Sequence, residues 1–302
     1  METFIFATHP DPGSSGKAEA IWAESIRAFA GKFRNAPLWI FYPRGEDAWA
    51  EKVEKILRPS QVELHPFDIP EEARKLPFFA KGYASAHAEE LADGRASHLV
   101  WMDAGSLVLN PPDALAFSNG INIGCRPVDL SNIGSRIPES PDDFWLMIYA
   151  LCRVPPDRLF TMQSSTEAID IRPYFNAGLL VTRPGLRLLN AWRENLDLAR
   201  RNTDILNMIR ANEKRAIFLH QAVLAATIIS RYTREQILIY PPNINYALHL
   251  HARYPDATRA KTMNELITCR TEYLYEEDEW QEHLPAIEEP LKSWLFSRWK
   301  NQ

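Results

Sequence analysis

Short, nearly continuous apolar runs alternate along the chain with longer amphipathic stretches. Residues 3–7, 37–42 and 98–102 are such runs, and 61–64 gives a further short strand. Unbroken hydrophobic runs of this length read as strands buried on both faces, as in a parallel sheet. Between them, a helix opens after the loop at residues 9–17 and runs to about residue 33, a charged amphipathic helix covers 48–57, and a third helix covers 78–93. Gly94 stands where helices commonly stop. The order strand, helix, strand, helix, strand, helix, strand predicts an α/β fold with right-handed crossovers. The sheet is then doubly wound and mostly parallel, with helices on both faces.

Beyond residue 109 the pattern is less regular. Pro111 and Pro112 lead into a short helix, residues 122–125 form another strand, and 126–141 are rich in turn formers and read as an extended loop. Residues 142–153 form a buried helix carrying Phe144, Trp145, Met147, Ile148 and Leu151. A small-residue turn opens a strongly apolar strand at 174–182, followed by one long helix over 186–211 and another over 218–230. From Glu272 the tail is acidic, then apolar with Trp294, Phe296 and Trp299, and mildly basic at Lys292, Arg298 and Lys300. Its end reads as a helix packed on the core, with a membrane-surface or partner helix as the alternative.

Composition narrows the function classes. The chain has 302 residues, 46% hydrophobic and 24% charged, which is enough to bury a sizeable core as a globular protein. A net charge of -5 argues against a general polyanion binder, so no nucleic-acid partner is expected, although a local basic pocket could hold a diphosphate. Cys125, Cys152 and Cys269 are odd in number and widely spaced, which suggests buried small hydrophobes rather than disulfides or a thiolate zinc site. No transmembrane segment and no signal peptide are expected, and the reading is a cytoplasmic protein, with peripheral membrane association as the alternative.

Asp103 is the first candidate for chemistry. It ends the apolar run at 98–102, just where open α/β sheets place their ligands, and a carboxylate there can hold a metal or a ribose hydroxyl. The plainer reading is a turn cap. The loop at 9–17 resembles a phosphate loop only loosely: Asp11 occupies the early glycine position and Ala18 replaces the hydroxyl residue that would hold magnesium. A loop with a serine helix cap fits it better. His249 and His251 would share one face of a strand, and Gln221 beside His220 would sit on the first turn of its helix.

Taken in order, four pieces resemble one family: Trp101-Met102-Asp103-Ala104-Gly105, Tyr174-Phe175-Asn176-Ala177-Gly178-Leu179-Leu180-Val181, His220-Gln221, and Asn243-Ile244-Asn245-Tyr246. They are similar to the retaining nucleotide-sugar glycosyltransferases of family eight and relatives with the GT-A fold. The resemblance spans roughly residues 1–255, leaving 256–302 as a helical C-terminal extension packed on that domain. It implies that Asp103 is the first acid of an Asp-X-Asp metal motif, with Ala104 and Gly105 completing the turn. Asn176, Ala177 and Gly178 would line the sugar pocket, and Gln221 would face the reacting carbon. His249 or His251 would complete the shell of a manganese or magnesium ion. The donor would be a nucleotide sugar, with a uridine diphosphate sugar favoured, and the acceptor a carbohydrate, lipid or protein.

Two departures matter. Gly105 replaces the second acid of the motif, and His220 replaces the acid that would precede Gln221. A hard cation wants several oxygen ligands, and Asp103 with one imidazole is a thin shell. Basic side chains could neutralise the diphosphate instead, and Lys81, Arg126 and Arg172 are the candidates. The expectation is therefore a hexosyl-type glycosyltransferase with a degenerate motif. Its alternatives are a catalytically weak nucleotide- or sugar-binding relative and a scaffold that kept the fold alone.

Overall fold

The computed structural model describes residues 2–272, 282 and 284–299. Within it, the unbroken apolar runs have a simple cause: their alternate side chains enter two different cores. In Phe4–Thr8 (β1), Ile5 and Ala7 face one core and Phe4 and Phe6 the other. Leu38–Pro43 (β2) repeats the division, and Val62–Phe67 (β3) pairs beside it at the edge. In His98–Met102 (β4), Leu99 and Trp101 join the first core and Val100 and Met102 the second. A strand buried on both faces has no polar face to show, so it reads as a run.

The remaining strands are Ser106–Val108 (β5), Ile123–Pro127 (β6), Met162–Gln163 (β7), Asp170–Ile171 (β8), Phe175–Thr182 (β9), Ile237–Ile239 (β10), Tyr246–Ala247 (β11) and Thr268–Arg270 (β12). Among the described residues, seven strands form the main sheet in the order β10-β6-β9-β4-β1-β2-β3. All neighbours in it are parallel except β9, which runs against both β4 and β6. The mixed α/β architecture with a mostly parallel central sheet is thus the one expected. A smaller sheet, β11-β12-β5, lies beside it, and β7 and β8 form a hairpin in a stretch to which the sequence pattern assigned no element.

Helices cover both faces. Lys17–Phe29 (α1) and Asp47–Leu57 (α2) supply Trp22, Ile26, Val53 and Leu57 to the second core. After the single turn Glu71–Arg74 (α3), Phe79–Ala92 (α4) opens the first core's helical layer, which Asp143–Leu151 (α5), Leu188–Ala199 (α6), Thr203–Arg210 (α7) and Glu213–Arg231 (α8) complete. Gly82 lets α4 and α6 approach closely, because a β-carbon there would collide with Leu196. Leu291–Trp299 (α9) buries Leu291 and Leu295 beside Ile21, sets Trp294 edge-on to Phe29 at 5.0 Å, and pairs Arg298 with Glu24. The packed-helix reading of the tail describes α9, while Lys300 and most of the acidic stretch, residues 273–281, lie outside the described residues. No helix among the described residues is long and apolar enough to cross a membrane.

Three local expectations need correction. The long helix over 186–211 is two helices, broken where Asn202 Oδ1 accepts the amides of Asp204 and Ile205, each at 3.0 Å. Asn side chains cap helices in this way and compete with helix interiors. Asn212 caps α8 likewise, accepting from the Arg215 amide at 3.1 Å, so α8 begins at Glu213 and Gln221 lies in its third turn, not its first. No serine caps α1: Gly16 holds the cap position at φ 90, and the Ser14 hydroxyl donates to the buried Glu19 carboxylate at 2.8 Å.

Candidate active site

The reversed direction of β9 brings distant residues together. Its first residues lie at the carboxyl end of β4, where Met102 pairs with Leu179 and the Asp103 amide donates to the Gly178 carbonyl at 3.0 Å. A β-carbon on Gly178 would lie 2.8 Å from Asp103 Oδ2, 2.8 Å from Asn176 Oδ1 and 2.9 Å from Arg270 Cδ. Glycine is needed here for space, and the three side chains crowd round it. Asn176 Oδ1 accepts from the Gly178 amide at 2.7 Å and from Asn245 Nδ2 at 3.1 Å. Gln221 reaches the same strand from α8, its Oε1 accepting the Ala177 amide at 3.2 Å. Gly105 and Ala104 form the turn from β4 to β5, with the Gly105 carbonyl accepting from the Thr271 amide at 2.8 Å.

Lys81, on the first turn of α4, meets Asp103 from the other side. Its Nζ lies 2.6 Å from Asp103 Oδ1, and the lysine side chain is only 12% exposed. Lys81 borders one cavity, and Asp103 crowds Gly178 together with Asn176 and Arg270, which border another. One is a cleft of about 350 Å³ walled by His9, Pro10, Pro12, Pro77 and Phe78, with Lys81 in its lining. The other, about 220 Å³, is lined by Asp129, Asn132, Asn176, Gln221, His249 and Arg270. A mainly apolar wall suits a flat ring, and a cavity of amides and charges suits hydroxyl groups.

The charges in the second cavity are mutually held. Arg270 Nη1 donates to Glu272 Oε1 at 2.6 Å, and Nη2 donates to Asp129, whose other oxygen accepts from the Tyr254 hydroxyl at 3.1 Å. Burial works against the Arg270 charge, but Asp129 and Glu272 outweigh it and raise its pKa. The two histidines near Lys81 are neutral. Burial pushes His220 down to about 3, helped by the charge of Lys81, and its Nδ1 donates to the Ile217 carbonyl at 2.9 Å. Burial likewise pushes His9 down to about 4. His220 therefore adds no charge where the resemblance to family-eight transferases implies an acid.

Asp103, Lys81, Asn176, Ala177, Gly178 and Gln221 are thus brought together. Arg126 is not part of that group: it is 4% exposed and spent on the Tyr240 carbonyl at 2.9 Å and Ser165 Oγ at 3.0 Å. Arg172 is also removed, bonded to Ser135 Oγ and the Arg136 carbonyl. Sequence reasoning missed Arg270 and Asp129. A signal existed for the first, since residues 266–270 are an apolar run ending in a charge, as residues 98–103 are.

The residues present do not fit a divalent cation. Asp103 already carries the ammonium of Lys81, and the position two residues on is Gly105. His249 and His251 lie on a 3-10 stretch, Leu248–Arg253, rather than a strand, so a two-residue spacing does not put them on one face. His251 Nδ1 is 2.8 Å from the Tyr246 hydroxyl, while His249 borders the polar cavity. Among the described residues no three of His, Cys, Asp and Glu converge as a ligand set. Asp103, His249 and His251 do not form one.

A mostly parallel sheet with one reversed strand and a polar cluster at a strand end define an α/β protein of the GT-A-like kind. The family model of the Rhodobacterales glycosyltransferase domain matches residues 13–231, and the chain belongs to that family: it is a glycosyltransferase. No curated protein matches it in sequence. Among solved structures it is similar to the galactosyltransferase LgtC in complex with donor and acceptor sugar analogs (TM-score 0.49, 14% identity, 96% of this chain and 99% of that one). It is also similar to mouse xyloside xylosyltransferase 1 in its apo form (0.48, 12%, 89% and 97%). The bifunctional glycosyltransferase WbbM, apo, matches at TM-score 0.51 and 11% identity over 98% of this chain and 51% of that chain, a likeness of fold.

Proposed function

We propose that the chain transfers a sugar from a nucleotide-diphosphate donor, with the nucleoside in the apolar cleft, the diphosphate at Lys81 and the sugar in the polar cavity. The observation that carries this reading is the Lys81–Asp103 pair, with Lys81 in the lining of the apolar cleft and Asp103 beside Asn176 and Arg270 of the polar cavity. A nucleotide sugar has the same sequence of parts: flat apolar ring, charged link, hydroxylated ring. Asn176, held by Gly178 and Asn245, and Gln221, held by Ala177, are fixed before any ligand arrives. Fixed dipoles of this kind stabilise charge without reorganising during the reaction.

In the transfer, the bond from the anomeric carbon to the diphosphate breaks and its electron pair goes to the phosphate oxygen. The acceptor hydroxyl oxygen bonds to that carbon, and its proton passes to the released diphosphate. The acceptor reaches the cavity through the neighbouring polar groove of about 410 Å³, which shares Asn132 with it. Serine, asparagine and arginine side chains line that groove, and they suit a hydroxylated acceptor better than an acyl chain. The similarity to family-eight transferases, carried by Asp103, Asn176–Gly178 and Gln221, supports the same assignment.

A melting panel tests the donor class. Nucleotide-diphosphate sugars should raise the melting temperature more than the matching nucleosides or free sugars, because only they fill both spaces. Equal or absent stabilisation across the three classes would refute the assignment.

A further inference from the structure

We propose that Lys81 is the cation that holds and neutralises the leaving diphosphate, and that Asp103 positions its ammonium instead of ligating a metal ion. The inference rests on the nucleotide-sugar reading above and names the charge at the centre of that site.

Three observations converge on it. First, Lys81 is seated rather than waving in solvent: its side chain is 12% exposed, and its Nζ lies over the Phe78 ring at 5.4 Å. An ammonium has three protons to donate. Asp103 takes one at 2.6 Å, which leaves two for an anion where Lys81 borders the cleft. Second, Asp103 is already engaged by a cation. Oδ1 holds Lys81, and Oδ2 is so close to Gly178 that a β-carbon there would lie 2.8 Å from it. Third, Gly105 supplies no second carboxylate, so the pair is electrically neutral and does not repel an arriving diphosphate. The two neutral histidines near Lys81, His9 and His220, add no competing charge.

The Lys81 ammonium donates to the phosphate oxygen that gains the electron pair when the bond to the sugar breaks, so the charge it stabilises grows as the reaction proceeds. A fixed cation in a partly buried site is suited to this work.

Titration calorimetry with uridine diphosphate and with inorganic pyrophosphate tests the assignment, each in EDTA and again in manganese. The wild-type protein should bind at least one probe in EDTA with an affinity within about threefold of that in manganese. Lys81→Met should weaken that binding by roughly tenfold or more, the loss expected of a charge-assisted hydrogen bond, and Lys81→Arg should restore much of it. Asp103→Asn separates the two roles, because it keeps the lysine and removes the only acid of the motif. It should retain metal-free binding within about fivefold. Lys81→Arg and Asp103→Asn decide the matter even if Lys81→Met does not fold. Binding that appears only with manganese, or that Asp103→Asn abolishes while Lys81→Met leaves it intact, would overturn the proposal and leave the nucleotide reading standing. No binding of either probe in either buffer would overturn both.

Discussion

Gly178→Ala is the smallest change that strikes the centre of the site. The added methyl would fall 2.8 Å from Asp103 Oδ2, 2.8 Å from Asn176 Oδ1 and 2.9 Å from Arg270 Cδ, all inside van der Waals contact. None of the three can yield cheaply. Asp103 is held by Lys81, Asn176 by Asn245 and the Gly178 amide, and Arg270 by Asp129 and Glu272. Overpacking of a tight interior by one methyl costs about 1–3 kcal/mol. At roughly 2.1 cal/mol/K per residue the unfolding entropy of this chain is about 0.6 kcal/mol/K, so the melting temperature should fall by roughly 2–5 °C. Because the displaced atoms are the ones that hold Lys81 and the sugar cavity in shape, uridine diphosphate binding should weaken by about tenfold at a temperature where the variant is fully folded. Differential scanning calorimetry and titration calorimetry read the two effects. An alanine variant that melts within a degree of the parent and binds the nucleotide equally well would refute the close contacts on which the site is built.

Other expectations follow from the same geometry. Asp129→Asn leaves Arg270 buried with only Glu272 as its counter-charge, and urea unfolding should show a loss of about 3–5 kcal/mol, against near neutrality if the pair were solvated. Gly105→Asp has room, its β-carbon meeting nothing nearer than Thr271 Oγ1 at 3.4 Å, so its effect is one of charge. In EDTA it should lower diphosphate affinity by about 1–3 kcal/mol, and a gain in affinity would contradict the fixed-cation account. His220 and His9 have folded pKa values pushed below the ordinary 6.5, to about 3 and about 4, so the unfolded chain binds more protons as pH falls below 6.5. Their contribution to stability is complete above that pH and is lost on acidification towards 4 for His9 and towards 3 for His220, with a slope of up to about 1.4 kcal/mol per pH unit for each. Buried Glu19 and Glu89, whose pKa values are raised, act in the opposite sense, so the comparison that isolates the effect is the slope lost in His220→Asn. An unchanged slope in that variant would count against a buried neutral His220.

Much of the sheet was legible because the two cores leave strands with no polar face, and Asp103 stood out as the acid that ends such a strand. The small-residue stretch Asn176–Gly178 was legible for a related reason, since only small residues fit beside Asp103. What sequence could not show was direction. Whether β9 runs with or against β4 depends on the path of the chain between them, and that alone decides whether Asn176 lands beside Asp103 or at the far edge. The break at Asn202 was hidden because only local hydrogen bonds mark it, and the start of α8 after Asn212 was hidden because its first residues, Glu213-Lys214-Arg215, carry no apolar periodicity. Arg126 and Arg270 show the limit most clearly. Both are arginines at strand ends, yet one is spent on the Tyr240 carbonyl and the other borders the cavity, a difference set by tertiary packing. Lys81 was named as one of three basic side chains that could neutralise a diphosphate, but its bond to Asp103 needed the crossing of α4 over the end of β4.

The central claim is sugar transfer from a nucleotide donor without help from a bound metal ion. Its most direct test is proton NMR of a panel of nucleotide-diphosphate sugars incubated in EDTA with the wild-type protein and with Lys81→Met, with a mixture of simple glycans as acceptors. The account predicts that at least one donor is consumed by the wild-type protein, with release of its nucleoside diphosphate and a new glycosidic anomeric signal. The methionine variant should be slower by at least about tenfold. Donor consumption that starts only when manganese is added, or equal rates for the two proteins, would contradict it.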